Sequence, residues 1–406
     1  MTWTKSQSNV VVAAYLGWTL DAFDFCLMMF MFKDISAELH SSMQIVSTAV
    51  LLTLAMRPVG AYLFGRLADR FGRKPTLIWN ILAYSFLEMA SGFAPSMTIL
   101  LVVRALFGVA MGGEWGVGSA LTMETIPASA RGFVSGLLQS GYPSGYLLAS
   151  LAVYLFYDRL GWRYMFVLGV IPAVLVFFIR RGVDESPAWQ EQQHNPRLGM
   201  LAVLRRDWKL AVYAIILMTA FNFFSHGSQD AYPSMFLKIQ HHFNTHLSSL
   251  ITAIANIGAI CGGLLFGMMS EKIGRRRTIM ITALIAIPTL PFWAFGGTPL
   301  ILALGAFVMQ FAVQGAWGVI PAHLNELSPP EIRATFPGLV YQLGNLLAAS
   351  NLNLQVAIAE AHGGDYGLAM ATVVGTVAIV IVVMMALGPE RRGIAMSTAH
   401  SRAQAA

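Results

Sequence analysis

Residues 65–76 read GRLADRFGRKPT, and residues 267–278 read GMMSEKIGRRRT. Each is a short basic turn between two long apolar runs. A second pair of segments repeats alongside them: GEWGVGSALTMETIPASARGFVSG at 113–136 matches GAWGVIPAHLNELSPPEIRATFPG at 315–338. Both pairs are offset by 202 residues. Two independent matches at one offset mean a duplicated unit, with each helix of the second half running the same way as its copy. Parallel repeats of this kind put a binding site between the halves, near the membrane midplane.

The rest of the chain fits that frame. Of its 406 residues, 56% are hydrophobic and 11% charged, with a mean hydropathy of +0.62. Soluble domains carry roughly 25% charged residues, so the chain is an integral membrane protein. The formal net charge of +6 sits between apolar runs and not on one polar domain, which excludes a nucleic-acid partner. The two cysteines, Cys26 and Cys261, lie far apart in apolar runs, so no disulfide, metal site or other cofactor is expected. A crossing helix needs about 20 residues. Apolar runs of that length centre near residues 22, 54, 85, 109, 144, 171, 223, 258, 287, 310, 347 and 377. The fold class is therefore all-α, with twelve transmembrane helices in two pseudo-symmetric six-helix bundles. The predicted division is 1–181 for the first bundle, 182–209 for a linker, 210–390 for the second bundle and 391–406 for a tail. That tail, after Arg392, is small and polar and is expected to be disordered.

Most of the 26 Lys and Arg residues fall on one side when alternate loops are grouped, among them Arg66, Arg70, Arg73, Lys74, Arg197, Arg205, Arg206, Arg275, Arg276, Arg277 and Arg402. Basic loops face the cytoplasm. Both termini and the linker are therefore predicted to be cytoplasmic, in a multi-pass protein of the inner membrane.

Six of the spans carry charge or amide into the apolar runs. FNFFSHGSQDAY spans 221–232. At 100° per residue, Asn222, Ser225, His226, Gln229 and Asp230 form one stripe about 140° wide. It reads either as a pathway-lining face or as packing glue between helices; holding both a His and an Asp favours the pathway. Asp21 and Asp24 lie three apart on the first span, and an offset of 202 makes Asp24 the mate of His226. They read as proton carriers with His226 and Asp230, or as partners of a structural Arg. Arg57 lies eight residues inside the basic turn, roughly 12 Å into the membrane. Its planar fork suits a substrate carboxylate, or a fixed bridge to Asp21 or Asp24. Glu88 and Arg104 lie at equal depth, as a structural pair or with Arg104 in transport. Glu114 lines the inner cavity as a further candidate proton carrier, or is structural. On the eleventh span, Gln342, Asn345 and Asn353 form another polar stripe, which reads a hydroxyl or keto oxygen or packs. In the basic turns and the segments that follow them, Asp69, Arg73, Arg131, Glu271, Arg275 and Arg333 read as gating residues. Exposed in one state, such pairs would each contribute ~0–1 kcal/mol.

GRLADRFGRK resembles the loop motif of the major facilitator superfamily, and R-x-x-x-G-x-x-x-G at Arg104, Gly108 and Gly112 is similar to its fourth helix. Asn222 to Asp230 matches the N-x-x-S-H-x-S-Q-D signature of the sialate:proton symporter family at all nine positions. GWTLDAFDF on the first span and RPVGA at 57–61 are similar too. The resemblance implies a monomeric carrier of a small organic anion with a proton, surrounded by membrane lipid. Sialic-acid members usually carry extra central helices, which this sequence lacks, so it implies lactate, pyruvate or another monocarboxylate. Another organic acid or a sugar (sialic acid, an aromatic acid) is the alternative; a drug antiporter fits less well, since the fifth span reads SGYPSGY. An enzyme would need a nucleophile–base pair or a metal cluster, and a sensor a sizeable signalling domain; neither is expected.

Overall fold

A computed structural model describes residues 3–193 and 200–397; Arg197 and Arg402 lie outside the described residues. Among the described residues every regular element is helical. Nine segments are long and apolar enough to cross a membrane. One of them, Ala128–Val176, is 49 residues long and breaks at Gly161 (φ 70°), so it supplies spans 5 and 6. Two more complete the twelve. Span 3, Arg73–Gly92, is a full-length helix whose hydropathy is lowered by Arg73, Lys74, Asn80 and Glu88. Span 11 is split into Thr335–Ala348 and Asn351–Ala361.

Spans 1, 2 and 4 are Lys5–Phe30, Met43–Phe71 and Met97–Thr125. Span 7 joins Trp208–Gln229 to a π-helical segment, Tyr232–Gln240. Spans 8, 9 and 12 are Thr245–Ile273, Arg275–Ala294 and Tyr366–Leu387. Span 10 joins Pro299–Trp317 to Ile320–Leu327. Both boundaries of spans 2 and 3 recur in spans 8 and 9 at the 202-residue offset. The turns match as well: Gly72 (φ 113°) and Gly274 (φ 102°) occupy a backbone region open mainly to glycine.

Small residues let the spans approach. A Cβ on Gly112 would stand 2.0 Å from the carbonyl oxygen of Arg57. Glycine there seats span 4 directly on span 2, as small residues do between membrane helices, and so fixes the depth of Arg57. One apolar core is built mostly from the second half and takes in Trp18 and Trp115 of the first; another is built mostly from the first half and takes in Ala334 of the second. A third cluster gathers residues of both halves at the end holding the basic turns.

Residues 393–397 of the tail depart from expectation; residues 398–406 lie outside the described residues. Arg392 donates to the carbonyls of Glu271 and Lys272, at 3.1 and 2.8 Å, and Met396 is buried. Polar composition favoured solvent, but the end of span 8 offers the carbonyls of Glu271 and Lys272, and an apolar cleft takes Met396. Asn353 also departs. Span 11 breaks at Ala349 and Ser350, so the 100° rule does not extend across it, and Asn353 is exposed.

Candidate functional site at the interface of the halves

Span 7 presents His226 with a partner on each ring nitrogen. Nδ1 lies 3.1 Å from Oδ2 of Asp230, one turn along. Nε2 lies 3.0 Å from Oδ1 of Asn345 on span 11. A carboxylate and an amide oxygen both accept, so an imidazolium fits this arrangement of the Asn345 amide. If the Asn345 amide turns over, its N–H faces Nε2 and a neutral ring fits instead. The side chains of His226 and Asp230 are each 36% exposed, so the pair is only part-buried. The other stripe residues divide. Gln229 donates to Gln310 of span 10 (2.8 Å), and Gln310 donates to the hydroxyl of Ser228 (3.0 Å). Asn222 is buried and donates back to the carbonyl of Met218. Gln342 is buried with no partner for Oε1.

Arg57 faces this group from span 2. It is 3% exposed. One amino group donates to the thioether of Met111 at 2.7 Å, and the guanidinium lies 4.8 Å from the ring centre of Phe25. A thioether is a weak acceptor, and Nε has no partner. Among the described residues no carboxylate comes within 4.0 Å of Arg57. Arg57 and His226 are nonetheless near enough for their charges to interact. Tyr341 is near enough to Arg57 to feel its charge, and its ring stands 4.9 Å from Trp115 and 5.4 Å from Trp317, centre to centre.

The first half also buries acids. Asp21, Asp24 and Glu114 are sealed from solvent with no partner on either oxygen. Asp24 therefore sits apart from His226, and Asp230 holds that ring. Glu88 bonds Arg104, which supports the structural reading of that pair.

At the basic end the six gating residues form a two-fold pattern, though with different partners from simple acid–arginine pairs. Asp69 accepts from the backbone N–H of Ala334 (3.0 Å) and Thr335 (3.2 Å) in the other half. Its copy Glu271 accepts from the N–H of Gly132. The acids thus land on helix starts beside Arg333 and Arg131, where N–H groups are unpaired. Arg73 and Arg275 bond Glu124 and Glu326 within their own halves, at 3.0 and 2.9 Å. Across the halves, Arg333 lies 3.8 Å from Glu124 and Arg131 lies 3.7 Å from Glu326. All of these groups are buried or nearly so, so the small figure for exposed pairs does not apply. Glu124, Glu326 and Gln310 were missed as site residues. The two glutamates stand at matching positions of the duplicated segment, and Gln310 interrupts an apolar run, so each left a signal. Outside the membrane, Glu185 accepts from the N–H groups of Arg73 and Lys74; burial pushes its carboxyl up, and backbone N–H bonds oppose that.

The Major Facilitator Superfamily model matches residues 10–228, and the Sugar (and other) transporter model matches residues 201–390. Sialic acid transporter NanX of Escherichia coli is 29% identical over 392 residues, covering 94% of each chain. A carboxylic acid transporter protein homolog of Saccharomyces cerevisiae is 28% identical over 429 residues, covering 96% of this chain and 69% of its own length. The proton:xylose symporter XylE shares the fold, with a TM-score of 0.78 at 19% identity over 96% of this chain and 97% of its own. NanX aligns end to end with this chain, so the lack of extra central helices does not separate this sequence from a sialic-acid carrier. The chain belongs to the Major Facilitator Superfamily of membrane transporters.

Proposed function

We propose that this protein is a proton-coupled symporter of a small monocarboxylate such as lactate or pyruvate, working by alternating access in the inner membrane. One observation carries the anion part: Arg57 is buried, charged, and matched only to a thioether and an aromatic face. A guanidinium so placed gains most from a carboxylate that binds its fork. The His226–Asp230 pair beside it supports the proton part. A proton held on that pair adds positive charge near Arg57 and favours the anion. By reciprocity the anion favours the proton. Gln342 and Asn345 lie one turn apart on the facing helix and suit a hydroxyl or keto oxygen at carbon 2. With the basic end closed by Asp69, Glu271, Arg131 and Arg333, the cavity opens to the opposite side; breaking those contacts lets the halves rock.

Sialic acid is the second reading, favoured by the end-to-end match to NanX. It also carries a carboxylate for Arg57. Uptake into proteoliposomes separates the two: labelled lactate, pyruvate and sialic acid, each with and without an inward proton gradient. Accumulation of lactate or pyruvate that requires the gradient supports the first reading. Gradient-driven accumulation of sialic acid alone replaces it, and accumulation of all three with no gradient removes proton coupling.

A further inference from the structure

The chain leaves span 12 in the second half and ends, among the described residues, against the first. Arg391 donates to the carbonyl of Leu327 at 3.3 Å, and Arg392 to those of Glu271 and Lys272. The next residues enter the contact between halves. The N–H of Gly393 donates to Oε1 of Glu326 (3.1 Å) in the second half. One residue on, the carbonyl of Ile394 accepts from Arg131 (2.7 Å) in the first half. Arg131 and Glu326 themselves stand 3.7 Å apart, so the tail backbone bridges the two members of a long ion pair. Gly393 has φ 75°, a turn in the chain at the point where it passes between the halves. Met396 is then 7% exposed, packed with Val11, Met123, Ile126 and Val134 of the first half and Ala322 of the second.

We propose that residues 391–397 form a latch that ties the two halves together at the basic end and favours the state closed there. Rocking the halves apart must release either the bond from Arg131 to Ile394 or the bond from Gly393 to Glu326, and must draw Met396 out of an apolar cleft. A segment bound in one state and free in the other shifts the balance between them by its differential contacts. The latch touches neither Arg57 nor His226. It therefore sets facing and leaves the binding site intact.

Cysteine accessibility tests this in a Cys26→Ser, Cys261→Ser background. Ser119→Cys reports the basic end, since Ser119 is buried and accepts a bond from Asn325 across the halves. Ser225→Cys reports the cavity from the opposite end. The arms are the full chain, a chain ending at Arg392, Met396→Asp, and Met396→Leu. Truncation and Met396→Asp are expected to speed maleimide labelling at position 119 several-fold and to slow it at position 225, while Met396→Leu follows the full chain. Unchanged labelling in both the truncated and Met396→Asp chains overturns the latch. Faster labelling at both positions also overturns it, because that is loosening of the fold and not a shift between two facings.

Discussion

Asp69 of span 2 accepts backbone bonds from both Ala334 and Thr335, at the start of span 11. One carboxylate of the first half thereby caps a helix of the second. The negative charge also meets the positive end of that helix dipole. The contact exists only while the basic end is closed, so it belongs to one facing state. Asp69→Asn keeps the size but removes the charge and turns a donor toward the N–H groups. Hydrogen bonds to a charged acceptor contribute about 2 kcal/mol. The expected result is a shift of roughly thirtyfold toward the state open at the basic end. Paired cysteine labelling from the two sides measures it; identical labelling patterns with and without the substitution would remove Asp69 from the gate.

Arg57→Lys keeps the positive charge and loses the planar fork. A lysine cannot make two parallel bonds to one carboxylate. Affinity for lactate is expected to fall by about thirtyfold, corresponding to ~2 kcal/mol, with the chain still monodisperse in detergent. Equilibrium binding checks it, and near-normal affinity in the lysine variant would show that the fork holds no carboxylate.

Gly112→Ala tests how Arg57 is positioned. The new methyl would meet the Arg57 carbonyl at 2.0 Å, so spans 2 and 4 must separate. Overpacking of this kind costs about 1–3 kcal/mol. A lower melting temperature is expected, together with weaker lactate binding. Unchanged melting would mean that the two helices are not in the close contact described.

Asn345→Ala removes the amide that meets Nε2 of His226. If that amide and Gln342 read the oxygen on carbon 2, lactate and pyruvate lose more than acetate and propionate, which lack it. A difference of about tenfold between the two pairs is expected. Equal losses for all four acids would return Gln342 and Asn345 to a packing role.

Much of this was readable in the residues, and the exceptions share a cause. The halves were legible because GRLADRFGRKPT and GMMSEKIGRRRT fix both the offset and the helix ends. His226 and Asp230 lie four apart on one helix, so their side chains could meet, but the sequence left Asp24 as an equal candidate for the partner of that ring. Asn345 as the second partner of His226 was not legible, because it comes from a helix over a hundred residues away. The same holds at the gate. Sequence placed Asp69 and Arg333 at one end but could not show that Asp69 ends on the N–H groups beyond Arg333, since that depends on which way the halves are tilted. Asn353 failed because a helical angle was carried past the break at Ala349 and Ser350. The expectation failed for residues 393–397 because composition reports what a segment tolerates, and not the cleft between halves that Met396 fills.

His226 and Asp230 should carry the coupling, and the two substitutions that test them should differ in kind. His226→Gln retains an amide for Asn345 and removes the ring that takes the proton. Asp230→Asn retains a partner for Nδ1 and removes the charge that holds an imidazolium in place. The ring's reference pKa is about 6.5, so a His is the natural carrier across physiological pH. Without the ring, lactate still has Arg57, and exchange between equal concentrations on both sides needs no net proton. Accumulation driven by a pH gradient does need one. Both variants are therefore expected to lose accumulation, while at least one keeps exchange. The measurement is labelled lactate in vesicles, with an imposed pH gradient in one set and equal pH in the other. If both variants still accumulate lactate against its gradient, the proton travels elsewhere. The unpartnered acids of the first half, Asp21, Asp24 and Glu114, then become the carriers to test, because each is buried without a counter-ion and would be stable there in its protonated form.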